Sequence, residues 1–374
     1  MSAKPSMSPS TESAARAGDH PLRPISFGTP AVTVDRRENG TIYLRPKAQL
    51  SDYPVRLTDR LHHWARAAPD RVFMAERNAA RGWRQISYGE LLASSRHIAS
   101  ALLARGLSAD KPVVILSGNS VDHALIAFGA LYAGVPFCPV SPAYSLVSRD
   151  YGKLGYLMKL LTPGLVFADD AGKFADALAA NVSPGIEIAA SYGAVPGREV
   201  TSLADLMATP LHPHLDAVHE AIGPDTIAKF LLTSGSTGNP KAVINTQRMI
   251  CANQVMLRET LAFLKDEPPV IVDWLPWNHT FGGNHNIGLT LYNGGSMYLD
   301  EGKPMPGGIE ETVRNLQEIS PTVYFNVPKG YESLLPYLRD DGALRKKFFA
   351  RLPQGRAARH HRLAALESHF WRQP

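Results

Sequence analysis

The segment TSGSTGNPK brings hydroxyl groups, glycines and one cation together. The candidate ligand-binding residues in it are Thr233, Ser234, Gly235, Ser236, Thr237, Gly238 and Lys241. Hydroxyl and backbone N–H groups can donate to one anion, glycine allows close backbone approach, and lysine adds a full positive charge. The segment therefore predicts a phosphate-binding loop, with a surface turn as the alternative. It is not a P-loop of the NTPase type, because Asn239 and Pro240 separate glycine from lysine and Ala242 follows.

The histidines and cysteines show no metal-binding spacing. His62–His63 and His360–His361 are adjacent pairs, which cannot converge on a metal as residues at i and i+4 do. Cys138 and Cys251 lie far apart in apolar segments. We therefore predict no metal site built from side chains alone, no disulfide, and two buried, unreactive thiols in a reducing, cytoplasmic setting.

The net charge of +5 is unevenly distributed along the 374 residues. Residues 344–374 contain eight Lys or Arg and one acid, which leaves 31 bases and 33 acids for the rest. The body of the protein is therefore not expected to bind nucleic acid. Residues 1–20 are rich in Ser, Ala and Pro and are predicted to be a disordered leader. The longest apolar run, Ala124–Val140, is too short for a comfortable membrane span and is interrupted by Gly134 and Pro136.

Short apolar strands alternate with amphipathic helices on both sides of the loop. In the first half, a helix is predicted from Thr58, its N-cap, and a second one ends at Gly106. The predicted strands are RVFMAER, VVILS, VPFCPVS, GLVFAD, IEIAAS, IAKFLLTS, VIVDWL, SMYLD and TVYFNV. Continuous apolar strands between helices indicate parallel sheets covered on both faces. The predicted fold class is α/β, with two adjacent doubly wound subdomains at about residues 50–200 and 220–351.

Four motifs in the expected order resemble the adenylate-forming acyl-CoA synthetases. They are ISYGEL (Ile86–Leu91), LYAGVPFCPVSP (Leu131–Pro142), TSGSTGNPKAV (Thr233–Val243) and LPWNHTFGGNH (Leu275–His285). The phosphate loop is the most specific of them, although Ala242 stands where that family usually has glycine. The details SPAYSLVSRDYGKL and LPWNHTFGG are most similar to bacterial feruloyl-CoA and related aryl-CoA synthetases.

The resemblance implies a two-step reaction with ATP, Mg²⁺ and coenzyme A. An aromatic carboxylate attacks the α-phosphorus of ATP, and the thiol of coenzyme A then displaces AMP. Residues 233–238 would wrap the β- and γ-phosphates, and Lys241 would neutralise the departing pyrophosphate. His279 would border the carboxylate, whereas its alternative is a histidine that caps a loop. Phe281, Gly282 and Gly283 would line the aryl end of the acyl pocket.

The motifs cover about residues 21–351, and the segment 352–374 lacks those that would follow. A glycine-rich strand, Tyr-Gly-x-Thr-Glu, a ribose-binding Asp and a C-terminal catalytic lysine are absent. We therefore expect an incomplete synthetase domain with a non-homologous basic tail, either out-of-frame translation or a basic helix. Three alternatives stay open: a catalytically inactive fragment, a synthetase for another acid such as benzoate or a fatty acid, and nucleic-acid binding through the tail.

Overall fold

The computed structural model describes residues 23–29, 31–233, 238–343, 346 and 353–354. The predicted leader, residues 234–237 of the predicted phosphate loop and nearly all of the predicted tail lie outside this part of the chain. Its strands are β1 (Arg23–Pro24), β2 (Val32–Arg36), β3 (Ile42–Pro46), β4 (Val72–Arg77), β5 (Trp83–Ser87), β6 (Val113–Leu116), β7 (Phe137–Val140), β8 (Leu165–Asp170), β9 (Glu187–Tyr192), β10 (Thr201–Ser202), β11 (Ile227–Leu232), β12 (Ala242–Thr246), β13 (Val270–Asp273), β14 (Ser296–Leu299) and β15 (Pro353–Gln354).

The helices alternate with these strands over most of the chain. The α-helices are α1 (Thr58–Ala67), α2 (Tyr88–Ala104), α3 (Val121–Ala133), α4 (Ala143–Leu146), α5 (Gly152–Leu161), α6 (Ala175–Asn181), α7 (Leu203–Ala208), α8 (Leu215–Glu220), α9 (Gln247–Thr260), α10 (Ile287–Tyr292), α11 (Ile309–Glu318) and α12 (Pro328–Asp340). A 3₁₀-helix spans Ala262–Lys265, and a π-helix spans Phe281–Asn286.

The larger sheet has seven strands in the order β10-β9-β8-β6-β7-β11-β12. All neighbours in it are parallel except β11 and β12, which form an antiparallel hairpin. Alternate residues of the central strands enter two different cores: Ile115 and Phe167 pack with α2 and α3, whereas Leu116 and Val166 pack with α5 and α6. The sheet is therefore buried on both faces, as the continuous apolar strands predicted.

The smaller sheet has four strands in the order β13-β14-β4-β5. Strands β4 and β5 come from the first hundred residues, yet β4 pairs with β14 and β5 pairs with β4, while β11 and β12 belong to the larger sheet. The predicted boundary near residues 200–220 therefore does not separate the two sheets, which exchange strands along the chain. The physical reason is that the helix layer α1–α3 lies between them, so that Met74 and Met297 of one sheet share a core with Val113 of the other.

Local chemistry explains both ends of α2 but not the start of α1. Ser87 and Glu90 form a capping box at the start of α2, and Gly106 follows its end at φ 67°, as predicted. Thr58 was expected to be the N-cap of α1 but is its first helical residue. Its hydroxyl is buried and hydrogen-bonds to His219 Nε2 at 2.9 Å, so tertiary contact rather than capping uses this side chain.

The predicted strand TVYFNV does not form. Only its first residue bonds to β13: the Thr322 N–H donates to the Val270 carbonyl at 2.9 Å. Further along, Asn326 Oδ1 accepts from the N–H of Val327 at 2.8 Å, and Pro328 begins α12 without an N–H of its own. Side-chain capping and proline thus replace the ladder that a strand would need.

Candidate functional site

The predicted phosphate loop is the tip of the β11–β12 hairpin. At its neck, the Thr233 N–H donates to the Lys241 carbonyl at 3.0 Å, and the Lys241 N–H donates to Thr233 Oγ1 at 3.1 Å. The Lys241 side chain is exposed. A Cβ added to Gly238 would meet no atom within 4 Å. Packing among the described residues therefore does not require glycine there.

The fourth motif, Leu275–His285, is called the acyl motif below, and its end lies in the π-helix Phe281–Asn286. Three elements hold this helix in place: β11, β12 and α9. The Lys229 Nζ on β11 donates to the Gly283 carbonyl at 2.6 Å. Asn284 Nδ2 donates to Asn245 Oδ1 on β12 at 2.9 Å, and Gln254 Nε2 on α9 donates to the Asn284 carbonyl at 3.1 Å. Both strands of the phosphate-loop hairpin thus contact the helix that carries the acyl motif.

His279 precedes this helix and is exposed. Its backbone is fixed, because its N–H donates to the Pro276 carbonyl at 3.1 Å and its carbonyl accepts from the Gly283 N–H at 2.8 Å. Three aromatic rings lie on the same helix and on the chain before α12. The rings of Phe281 and His285 pack edge to face with centroids 5.2 Å apart, and the centroid of the Phe325 ring lies 4.7 Å from that of His285.

Gly282 and Gly283 face backbone rather than open space. A Cβ on Gly282 would lie 2.4 Å from the Leu275 carbonyl oxygen, and one on Gly283 would lie 2.1 Å from the Trp277 carbonyl oxygen. Both glycines were predicted to leave room for an aryl ring. The structure instead explains them by close approach of the π-helix to residues 275–277.

Two buried carboxylates at the ends of parallel strands escaped the sequence prediction. Asp273 is the last residue of β13 and lies just before the acyl motif. Its Oδ1 accepts from the Leu275 N–H at 3.1 Å and from Asn286 Nδ2 at 2.9 Å. Burial raises the pKa of Asp273 to about 7, and also raises the pKa of Asp300 at the end of β14. A single acid inside the apolar run VIVDWL was the available signal.

Lys229 is the second functional group that motif reasoning missed. It is 5% exposed, and burial lowers its pKa to about 7. The nearby His123 Nδ1–H donates to the Gly118 carbonyl at 3.0 Å, and burial lowers the pKa of His123 to about 4. The signal for Lys229 was a cation in the otherwise apolar strand IAKFLL.

The described residues contain no cluster of three or more His, Cys, Asp or Glu that could hold a metal. Cys138 and Cys251 are free and buried, and burial raises the pKa of each thiol to about 12, as expected of unreactive cysteines. Among the same residues, no helix is long and apolar enough to cross a membrane.

The fold and the two predicted motifs define a class: an α/β protein in which the hairpin of the predicted phosphate loop is hydrogen-bonded to the helix of the predicted acyl motif. A sequence model described as "AMP-binding enzyme" matches residues 61–367, and the chain belongs to this family. Its architecture is that of the N-terminal domain of adenylate-forming enzymes.

Individual relatives agree with this assignment. The chain is 23% identical over 278 residues to the long-chain-fatty-acid–CoA ligase ACSBG1 of Rattus norvegicus, covering 71% of this chain and 37% of that protein. ATP-bound MatB from Rhodopseudomonas palustris superimposes with a TM-score of 0.57 and 25% identity, over 78% of this chain and 54% of that one. The complex of VinN with L-aspartate gives a TM-score of 0.60 at 22% identity, over 78% and 67%. The chain thus spans well under half of the length of that curated relative.

Proposed function

We propose that this chain carries the ATP-binding part of a synthetase that activates a carboxylic acid as an acyl-adenylate and transfers it to coenzyme A. One observation supports this function best: both strands of the phosphate-loop hairpin hydrogen-bond to the π-helix of the acyl motif, through Lys229 and Asn245. Such coupling would hold a nucleotide and an acid in one orientation, which is the main requirement of phosphoryl and adenylyl chemistry.

ATP with Mg²⁺ would supply the activated phosphorus, and the residues of this chain would position it. The hydroxyl and N–H groups of residues 233–238 would surround the β- and γ-phosphates. The exposed ammonium of Lys241, a residue whose backbone is hydrogen-bonded to Thr233, would stabilise the charge on the departing pyrophosphate. His279 would stand beside the carboxylate of the acid, at the edge of the helix that its carbonyl caps.

The proposed acid is aromatic, of the hydroxycinnamoyl type. Its ring would pack against Phe281, where the edge-to-face rings of His285 and Phe325 continue the wall. A fatty acid is the competing substrate, since the matched curated relative is a long-chain-fatty-acid–CoA ligase. The two buried, free cysteines favour a reducing, cytoplasmic location.

The test is ATP–pyrophosphate exchange by the 374-residue chain with ferulate, benzoate or octanoate as the acid. Lys241→Ala should lower the exchange rate by about 10²–10³-fold, because one charge-stabilising group is worth about 3–4 kcal/mol in the transition state. Lys153→Ala, which removes an exposed lysine on α5, should leave the rate unchanged.

Each result decides between the candidates. Exchange that is fastest with ferulate supports the aromatic acid, and exchange only with octanoate replaces it by a fatty acid. Absence of exchange together with Lys241-dependent binding of ATP, measured by calorimetry, identifies an inactive nucleotide-binding fragment. Equal exchange by the wild type and Lys241→Ala removes Lys241 from the mechanism.

A further inference from the structure

A small cavity lies behind the π-helix, on the side that faces β11 and α3. Its volume is about 30 Å³, and the helix contributes Gly283 and Asn284 to its wall. The acyl-motif rings Phe281 and His285 are not among its lining residues. The cavity is therefore separate from the aromatic face proposed for the acid.

The lining is apolar except at four places. Its apolar residues include Phe128, Leu131, Phe137 and Ile250, and its polar side chains are His123, Lys229, Trp277 and Asn284. No Asp or Glu lines it among the described residues. An ammonium group in such surroundings is costly to hold unless a counter-charge accompanies it.

Lys229 is the charged group at this cavity. Its Nζ donates one hydrogen bond to the Gly283 carbonyl at 2.6 Å and lies 5.6 Å from the centroid of the Phe137 ring. An ammonium has three N–H groups. A protonated Lys229 thus has further N–H groups that can donate to a ligand in the cavity. Because a methionine of similar length would fill this site at lower cost, the presence of lysine favours a binding role.

Trp277 supplies an independent observation. The side chain is 2% exposed, and its Nε1–H has no hydrogen-bond partner among the described residues. Asn284 Oδ1 is likewise buried without a partner in this part of the chain. Both residues line the cavity. Buried polar groups almost always have partners, so an ion or a water molecule in the cavity would account for these two unpaired atoms.

We propose that this cavity binds one monovalent anion of halide size, held by Lys229 Nζ and Trp277 Nε1, with a water molecule on Asn284 Oδ1. A water needs about 10–15 Å³ of such space, so 30 Å³ accommodates two particles of about that size. The anion would neutralise Lys229 and so stabilise the contact between β11 and the π-helix.

The proposal implies a pH dependence set by Lys229. The other titratable group that lines the cavity is His123 on α3, whose lowered pKa of about 4 keeps it neutral from pH 6 to 9. Burial lowers the pKa of Lys229 to about 7, so the amine is charged at pH 6 and neutral at pH 9 in the absence of an anion. Anion binding should therefore be strong at pH 6 and weak at pH 9.

The experiment titrates sodium chloride against sodium gluconate at constant ionic strength and follows the thermal unfolding midpoint. Chloride should raise the midpoint of the wild type at pH 6, with an apparent affinity at least tenfold weaker at pH 9. Lys229→Met should abolish this effect, and Trp277→Phe, which keeps the ring but removes the N–H, should weaken it about tenfold. Lys153→Met, on the exposed surface of α5, should retain it.

A second measurement uses the wild type, so it does not require that any variant folds. Wild-type crystals soaked in bromide should show an anomalous peak in contact with Lys229 Nζ. A cavity that holds water only, or a chloride effect of equal size in Lys229→Met, would overturn the proposal. Neither experiment involves ATP or an acid, so its outcome is independent of the proposed synthetase activity.

Discussion

Lys229 and Lys241 lie on the two strands of one hairpin, yet they occupy opposite environments. Lys241 is exposed at the neck of the predicted phosphate loop, whereas Lys229 is 5% exposed inside β11. Lys229 contacts the Gly283 carbonyl and the Phe137 ring.

This contrast teaches that two cations close in sequence can do different work. An exposed ammonium remains hydrated and charged until a ligand arrives, so it can form an ion pair with a phosphate group. A buried ammonium loses its hydration, and its charge then depends on pH and on what fills the neighbouring cavity. The predictions below test whether burial is the cause of the difference.

The largest expected effect on stability concerns Asp273, a buried carboxylate. Burial shifts its pKa upward, whereas burial shifts the pKa of Lys229 downward. The pKa of Asp273 is raised to about 7 in the folded state, so the wild type loses stability as the pH rises from about 4 to 7. Asp273→Asn keeps an acceptor for Leu275 and Asn286 but carries no charge. At pH 8 the variant should be more stable by on the order of 3 kcal/mol, and at pH 4 nearly equal, as measured by urea unfolding.

Parallel stability curves of wild type and Asp273→Asn across that pH range would contradict this account. They would show that Asp273 titrates as an exposed acid does.

Two glycines extend the comparison to packing. Gly283→Ala places a Cβ 2.1 Å from the Trp277 carbonyl oxygen, so it should lower the free energy of unfolding by about 1–3 kcal/mol. Gly238→Ala meets no atom within 4 Å and should change stability by less than about 0.5 kcal/mol, while it weakens ATP binding. Denaturant unfolding and calorimetry measure the two quantities. Equal destabilisation by both variants would remove the distinction between a packing glycine and a ligand glycine.

A stability difference that changes sign with pH is expected for Lys229→Met in chloride-free buffer. The lowered pKa of Lys229 means that the wild type gains stability as the pH rises from about 7 to 10.5. At pH 6 the variant should be more stable, because no buried charge has to be held. At pH 10 it should be less stable by about 1 kcal/mol, because the Gly283 carbonyl loses its donor. Thermal unfolding at both pH values provides the test, and a difference of constant sign would argue against a titrating Lys229.

Sequence reasoning identified the elements and motifs of the site better than its interior. The strands β6 to β9, the helix stop at Gly106 and the order of the motifs could be predicted, because local periodicity and capping determine them. The strand β12 and the packing role of Gly282 and Gly283 could not. They depend on which segment lies against another, and no local pattern records that.

The amino-acid sequence by itself determined that the chain is α/β, that it carries a hydroxyl- and glycine-rich loop with a lysine, and that a second motif follows. Hydrophobic periodicity and backbone preferences act over a few residues, which is why they can be read directly. Only the tertiary structure decided that β4 and β5 join the second sheet, that Lys229 and Asp273 are buried, and that the hairpin clamps the π-helix. Those features arise from contacts between residues far apart in the chain, where desolvation and packing override local preference.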